Sequence, residues 1–216
     1  MEMARLKEFK NKTYLNMDVT LDIAKKEFAK FVECDPKNIA FRAGVKYLDE
    51  EDEFLVPFLN EEYRVRFPSG EVYQQNKEVS LDKQILILHY LNNAEGIPLK
   101  HQWISFKELP SGQIYINPFH NRVIRPLIKY FGEQPERLIK AGLVLGGEKG
   151  DKGDASITIN IFPMVPITYI IWLGDDEFPP SGNVLFDASA SNYLPTEDYA
   201  VAGGMVVYEL RKLAEQ

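Results

Sequence analysis

Hydrophobic spacing divides the chain into stretches of helical and of strand period. Leu21, Ala24, Phe28, Phe31 and Val32 recur on one face, which predicts a helix over about 21–32 with Thr20 as its N-cap. Asp35, Pro36 and Gly44 then frame a short second helix as cap, first residue and terminator. A β-rich section follows. Residues 54–59 read as an edge strand because of Pro57, and Tyr63, Val65 and Phe67 alternate with Arg64 and Arg66. Pro68-Ser69-Gly70 is turn chemistry, and 71–73 should return beside that strand, leaving the two arginines on an open face.

Residues 80–94 give the clearest helix. Ser80 is its cap, Asp82 suits its first turn, and Ile85–Leu88 with Tyr90 and Leu91 make it apolar nearly all round. Residues 101–116 read as two short strands about Pro110-Ser111-Gly112, after which Asn117-Pro118 opens a helix that Pro126 must kink or restart. Residues 145–155 form a glycine-rich hairpin or lid that matches no phosphate-binding motif. Ser156, Thr158 and Asn160 alternate with Ile157, Ile159 and Ile161, so one face of that strand is core and the other neutral-polar. Ile167–Leu173 is the most apolar run and predicts a central strand. Thr196 with Glu197 and Asp198 reads as the cap and first turn of a last helix, whose core face carries Tyr199, Ala202, Val206, Leu210 and Leu213.

Composition narrows the class. With 45% hydrophobic and 12% aromatic residues, the 216-residue chain can bury a sizeable core without disulfides. The apolar runs fall far short of the ~20 residues that span a bilayer, and the charged N-terminus has no signal-peptide pattern, so the expectation is a cytoplasmic protein with no membrane partner. A net charge of −7 without a lysine or arginine stripe argues against nucleic acid. The single cysteine, Cys34, excludes a self-contained zinc or iron–sulfur site and reads as a small buried hydrophobe.

Candidate chemistry gathers after the central strand. Gly174-Asp175-Asp176-Glu177-Phe178-Pro179-Pro180 cannot continue a strand, and its carboxylates suit either a solvated turn or a hard cation. Asp187 ends a short apolar segment, which makes it a better catalytic candidate than a turn carboxylate. Arg122, three residues after Phe119 and near His120 and Arg125, is placed either to clamp an acid or to lay its stem over the core with its head in water. The expectation is one pocket lined by the end of the Trp172 strand, the Asp175–Phe178 loop and Asp187, with Asp187, Glu177 and Arg122 as catalytic candidates. Trp172, Asp175, Asp176, Ser156, Thr158 and Asn160 are the ligand-binding candidates, and no metal-ligand set is assigned.

LHYL in the central helix, WISFKELP, the Phe119–Arg122 segment, WLGDDEFP and LFDASASNYLPTED occur in an order that resembles the domain of unknown function 3786. The resemblance runs from about Thr20 to the C-terminus. It implies an uncharacterised soluble domain of anaerobic bacteria and archaea, some of whose relatives carry an iron–sulfur domain. On that resemblance the expected role is a ligand-binding or accessory protein in anaerobic metallocofactor metabolism, iron–sulfur or corrinoid, with a metalloprotein or small molecule as partner and an unknown cofactor. The alternative from the residues is a small enzyme with a carboxylate-lined site that works with or without a divalent cation. The expected fold is α+β, an antiparallel or mixed sheet packed with helices. Residues 1–19 are an N-terminal extension and 20–216 a single domain.

Overall fold

The computed structural model describes residues 2–75 and 77–215, with side chains from residue 16 onward. The fold is α+β, built on two antiparallel sheets. By contacts in space between backbone positions it divides into two compact units, Met1–Val56 with Glu62–Ala94, and Pro57–Glu61 with Glu95–Gln216.

In the first unit, helix α1 runs Glu2–Ala29 and ends in a tight turn at Lys30–Glu33. It therefore passes through Thr20, which does not cap it; the Thr20 hydroxyl is already satisfied by the carbonyl of Asn16 one turn earlier, at 2.7 Å. Cys34 is exposed in the link to α2 (Pro36–Ala43), not buried as its residue type suggests. Asp35 caps α2 by accepting from the Lys37 amide at 2.9 Å, and Gly44 closes it at φ +63°, where a Cβ is disfavoured. Strands β1 (Lys46–Leu48), β2 (Glu53–Phe58), β3 (Glu61–Arg66) and β4 (Val72–Tyr73) form a meander in sequence order. Phe54, Val56, Tyr63 and Val65 are buried on its core side. Helix α3 (Leu81–Asn93) packs against α1 and buries Ile85–Leu88, Tyr90 and Leu91.

The second unit holds a five-stranded sheet in the order β5-β9-β8-β7-β6. Strand β5 (Trp103–Ser105) leads into one tight turn, Phe106–Glu108, closed by a capping box between Ser105 and Glu108. The second strand expected there is instead helix α4 (Gly112–Phe119); it lies against α7 (Thr196–Ala214) and buries Phe119, and that tertiary setting outweighs the β-propensity of Ile-Tyr-Ile. A π-helical turn at His120–Ile124 joins α4 to α5 (Arg125–Phe131), so Pro126 sits in the first turn of a restarted helix. Helix α6 (Pro135–Val144) leads to β6 (Glu148–Lys149), β7 (Ala155–Phe162), β8 (Val165–Trp172) and β9 (Ser181–Asp187). No helix among the described residues is long and apolar enough to cross a membrane.

Candidate functional site

Strand alternation sorts the second sheet into two chemically different faces. Register pairs Ile157 with Tyr169 and Tyr169 with Val184, and these side chains are buried; the Tyr169 hydroxyl donates to the Gly203 carbonyl of α7, and burial pushes it well above the usual tyrosine range. On the other face, Ser156 stands beside Ile170, Thr158 beside Thr168 and Asn160 beside Pro166, while Trp172 pairs with Ser181. Cross-strand partners share a face, so Ser156, Thr158, Asn160 and Trp172 lie on one side of the sheet. Thr158 and Thr168 share a hydroxyl–hydroxyl bond of 2.7 Å; Asn160 is exposed, and Trp172 is 38% exposed.

The glycine-rich segment folds down on this face. The Gly150 amide donates to the Ser156 carbonyl at 2.9 Å, the Lys152 amide to the Ser156 hydroxyl at 3.0 Å and the Asp154 amide to the Ile171 carbonyl at 2.9 Å. A Cβ at Gly150 would stand 2.6 Å from the Ser156 hydroxyl oxygen. One at Gly153, whose φ is +61°, would stand 2.6 Å from the Ile171 carbonyl oxygen. Only glycine lets this flap approach so closely. The Asp154 carboxylate accepts from the Leu173 amide at 2.7 Å, which fastens the flap to the exit of the Trp172 strand.

The acidic loop is an ordered turn. One Asp175 oxygen accepts from the Glu177 and Phe178 amides at 2.9 and 2.8 Å, and these bonds hold its carboxyl below the usual range. Asp176, Glu177 and Phe178 are exposed. Among the described residues no group of three or more His, Cys, Asp and Glu side chains converges as metal ligands.

Asp187 belongs elsewhere. It pairs with Trp103 of β5, at the far end of β9 from the residue that faces Trp172, Ser181. Six residue steps along β9 separate Ser181 from Asp187, roughly 20 Å at the usual rise, so the acidic loop and Asp187 do not line one pocket. Asp187 is 2% exposed, and one of its oxygens accepts from the Lys100 amide (2.9 Å), the Ser189 amide (2.9 Å) and the Ser189 hydroxyl (2.7 Å). Burial works to raise its pKa, but the Ser189, Lys100 and His101 donors outweigh that and hold it below the usual range. Its partners are thus mainly backbone amides, and Arg122 is not among them. Arg122 is exposed in the π-helical turn and forms no ion pair with a carboxylate among the described residues.

Glu53 in the first unit is a buried carboxylate that residue-type reasoning passed over. Arg64 donates to it at 2.9 Å, Tyr73 gives a short hydroxyl bond, and the Arg66 guanidinium lies 3.5 Å away and 5.0 Å from the centre of the Tyr73 ring. Burial opposes its charge, yet the Tyr73 and arginine donors lower its pKa. Arg66 also pairs with Glu71 at 2.6 Å, which leaves a closed network on the open sheet face. Alternation gave a usable signal here, because Glu53 has the parity of the outward residues of its strand.

These features define an α+β protein with a neutral-polar sheet face under a glycine flap. The profile of the domain of unknown function (DUF3786) matches residues 35–209, and the chain belongs to that family. No curated protein and no solved structure matches it.

Proposed function

We propose that the chain is a non-catalytic ligand-binding or accessory protein, and that the face bearing Thr158, Asn160 and Trp172, with Ser156 buried under the flap beside them, is its binding surface. The observation that carries this reading is the flap: it lies so close to the sheet that a Cβ at Gly150 would fall within 3 Å of the Ser156 hydroxyl, and one at Gly153 within 3 Å of Ile170 and of the Ile171 carbonyl. Neutral hydroxyl and amide groups beside an aromatic ring suit a ligand held by hydrogen bonds and stacking, not by ionic chemistry. The resemblance drawn from the sequence supplies the context, metallocofactor metabolism in the cytoplasm of an anaerobe. One exposed cysteine does not fit an iron–sulfur cluster, which takes several thiolates, so any such cluster resides on a partner in this reading. The enzyme alternative asks Asp187, Glu177 and Arg122 to converge; their separate positions favour binding.

Native mass spectrometry of protein purified without oxygen tests the proposal. The expected result is a retained non-covalent mass that is lost on Trp172→Ala or Thr158→Val while the fold survives. A wild-type protein with no retained mass, a retained mass indifferent to both changes, or turnover that depends on Asp187 or Glu177 would overturn it.

A further inference from the structure

Apart from the polar sheet face, exposed basic residues line the α4–α5 helical segment, and the end of that segment abuts the connection that carries the acidic loop. The Arg125 amide donates to the His120 carbonyl across the π-helical turn, an i→i+5 bond that sets residue 120 one turn below residue 125. In an α-helix those positions would not stack. Lys129 lies four residues after Arg125, a helix-neighbour spacing, and Arg122 sits within the π-helical turn that precedes them. His120, Arg122, Arg125 and Lys129 are all exposed, and neither guanidinium meets a carboxylate among the described residues.

The same helix leads to the acidic loop. A Cβ at Gly132 would lie 2.9 Å from Pro180 Cβ, and one at Gly182 would lie 3.1 Å from Ile128, so the end of α5 abuts the β8–β9 connection. Arg125 and Lys129 each precede a residue of that contact line by three positions and therefore flank it. The stripe spans about 15 Å of helix from Arg122 to Gly132. Beyond Pro180 stand the exposed Asp175, Asp176 and Glu177, with Phe178 67% exposed beside them.

We propose that this surface pairs with a second copy of the chain about a two-fold axis. The cationic stripe of each copy then meets the acidic loop of the other, with Phe178 in the apolar centre. An isologous interface must be complementary to itself, and a face that holds separated positive and negative lobes meets that requirement. A purely acidic or purely basic partner would satisfy one lobe and repel the other. The net charge of −7 opposes association at long range, but physiological salt screens it beyond about 8 Å while the facing lobes lie in contact.

Analytical ultracentrifugation over a wide range of protein concentration, at low and at high salt, tests this directly. The wild type should dimerise, more weakly at high salt. Asp176→Lys with Glu177→Lys, and separately Arg122→Glu with Arg125→Glu, should each raise the dimer dissociation constant at least about tenfold, a cost of about 1.4 kcal/mol. An equimolar mixture of the two variants should restore dimers, because each altered lobe again faces its opposite. All four positions are exposed, and circular dichroism checks that both variants fold. A wild type monomeric throughout, charge reversals without effect, or a mixture that stays monomeric would overturn the proposal.

Discussion

Replacing Asp187 separates a structural carboxylate from a catalytic one, and the structure sets the scale. One Asp187 oxygen gathers the Lys100 amide, the Ser189 amide and the Ser189 hydroxyl in a setting only 2% exposed. Asp187→Ala strands two backbone donors, each costing about 1–3 kcal/mol when unmet and shielded, so a loss of about 3 kcal/mol is expected after partial relaxation. For a chain of this length that lowers the melting temperature by roughly 6–12 °C. Asp187→Asn keeps a carbonyl oxygen where all three donors point and should cost only about 1–2 kcal/mol. The two variants also differ from wild type in pH dependence. The folded pKa of Asp187 lies below its usual value, so its stabilisation is fully present above about pH 3.9 and disappears as pH falls through the lower folded value. The wild-type advantage over Asp187→Asn should therefore shrink only in that acid window. Thermal melts from pH 7 down to pH 2.5, with hydrogen exchange at the Lys100 and Ser189 amides, measure both effects. An asparagine variant as unstable as the alanine one, or two fully stable variants that lose a bound ligand, would refute the structural assignment.

Gly153→Ala puts a Cβ 2.6 Å from the Ile171 carbonyl at φ +61°; the left-handed backbone alone costs about 1–2 kcal/mol, and exchange at the Lys152 and Asp154 amides should accelerate as the flap lifts. Protection equal to wild type would show the flap is not held by that approach. Glu53→Gln leaves Arg64 and Arg66 without their shared carboxylate, but both arginines reach solvent, so a loss of about 1–2 kcal/mol is expected in chemical denaturation, well under the cost of breaking a fully buried pair. No loss at all would mean the network is only a surface ornament of the sheet. Thr196→Ala removes a hydroxyl bonded at 2.6 Å to the Pro110 carbonyl and should cost about 1 kcal/mol, or a few degrees of melting temperature. An unchanged melting temperature would count against that tether.

Local chemistry was legible wherever a residue acts on its own neighbours. Asp35, Pro36 and Gly44 bound α2, and the Pro68-Ser69-Gly70 turn returns β4 to β3, because these signals act within a few residues. Strand alternation likewise put Ser156, Thr158 and Asn160 on one face. The signals failed where a partner from elsewhere decides. Gln113–Ile116 has strand-forming residues, yet it is helical in a helix that runs beside α7, a neighbour that no local pattern encodes. Thr196 has the composition of a cap, but Pro195 holds that position and the threonine hydroxyl turns to Pro110, 86 residues away in sequence.

Asp187 joins both cases. Its place at the end of an apolar strand marks it as a carboxylate taken out of water, and that inference needs only the pattern around it. What neutralises such a group is a question of donors, and residue types advertise arginines and cations while concealing main-chain amides. Every residue but proline carries an amide, so the Lys100 and Ser189 donors become visible only when the backbone path is known. The same limit governs the binding face. Register fixes which side chains share it, but the flap that covers it is recruited through Gly150 and Gly153, residues defined by what they lack, so their spacing is informative only once Ser156 and Ile171 stand opposite.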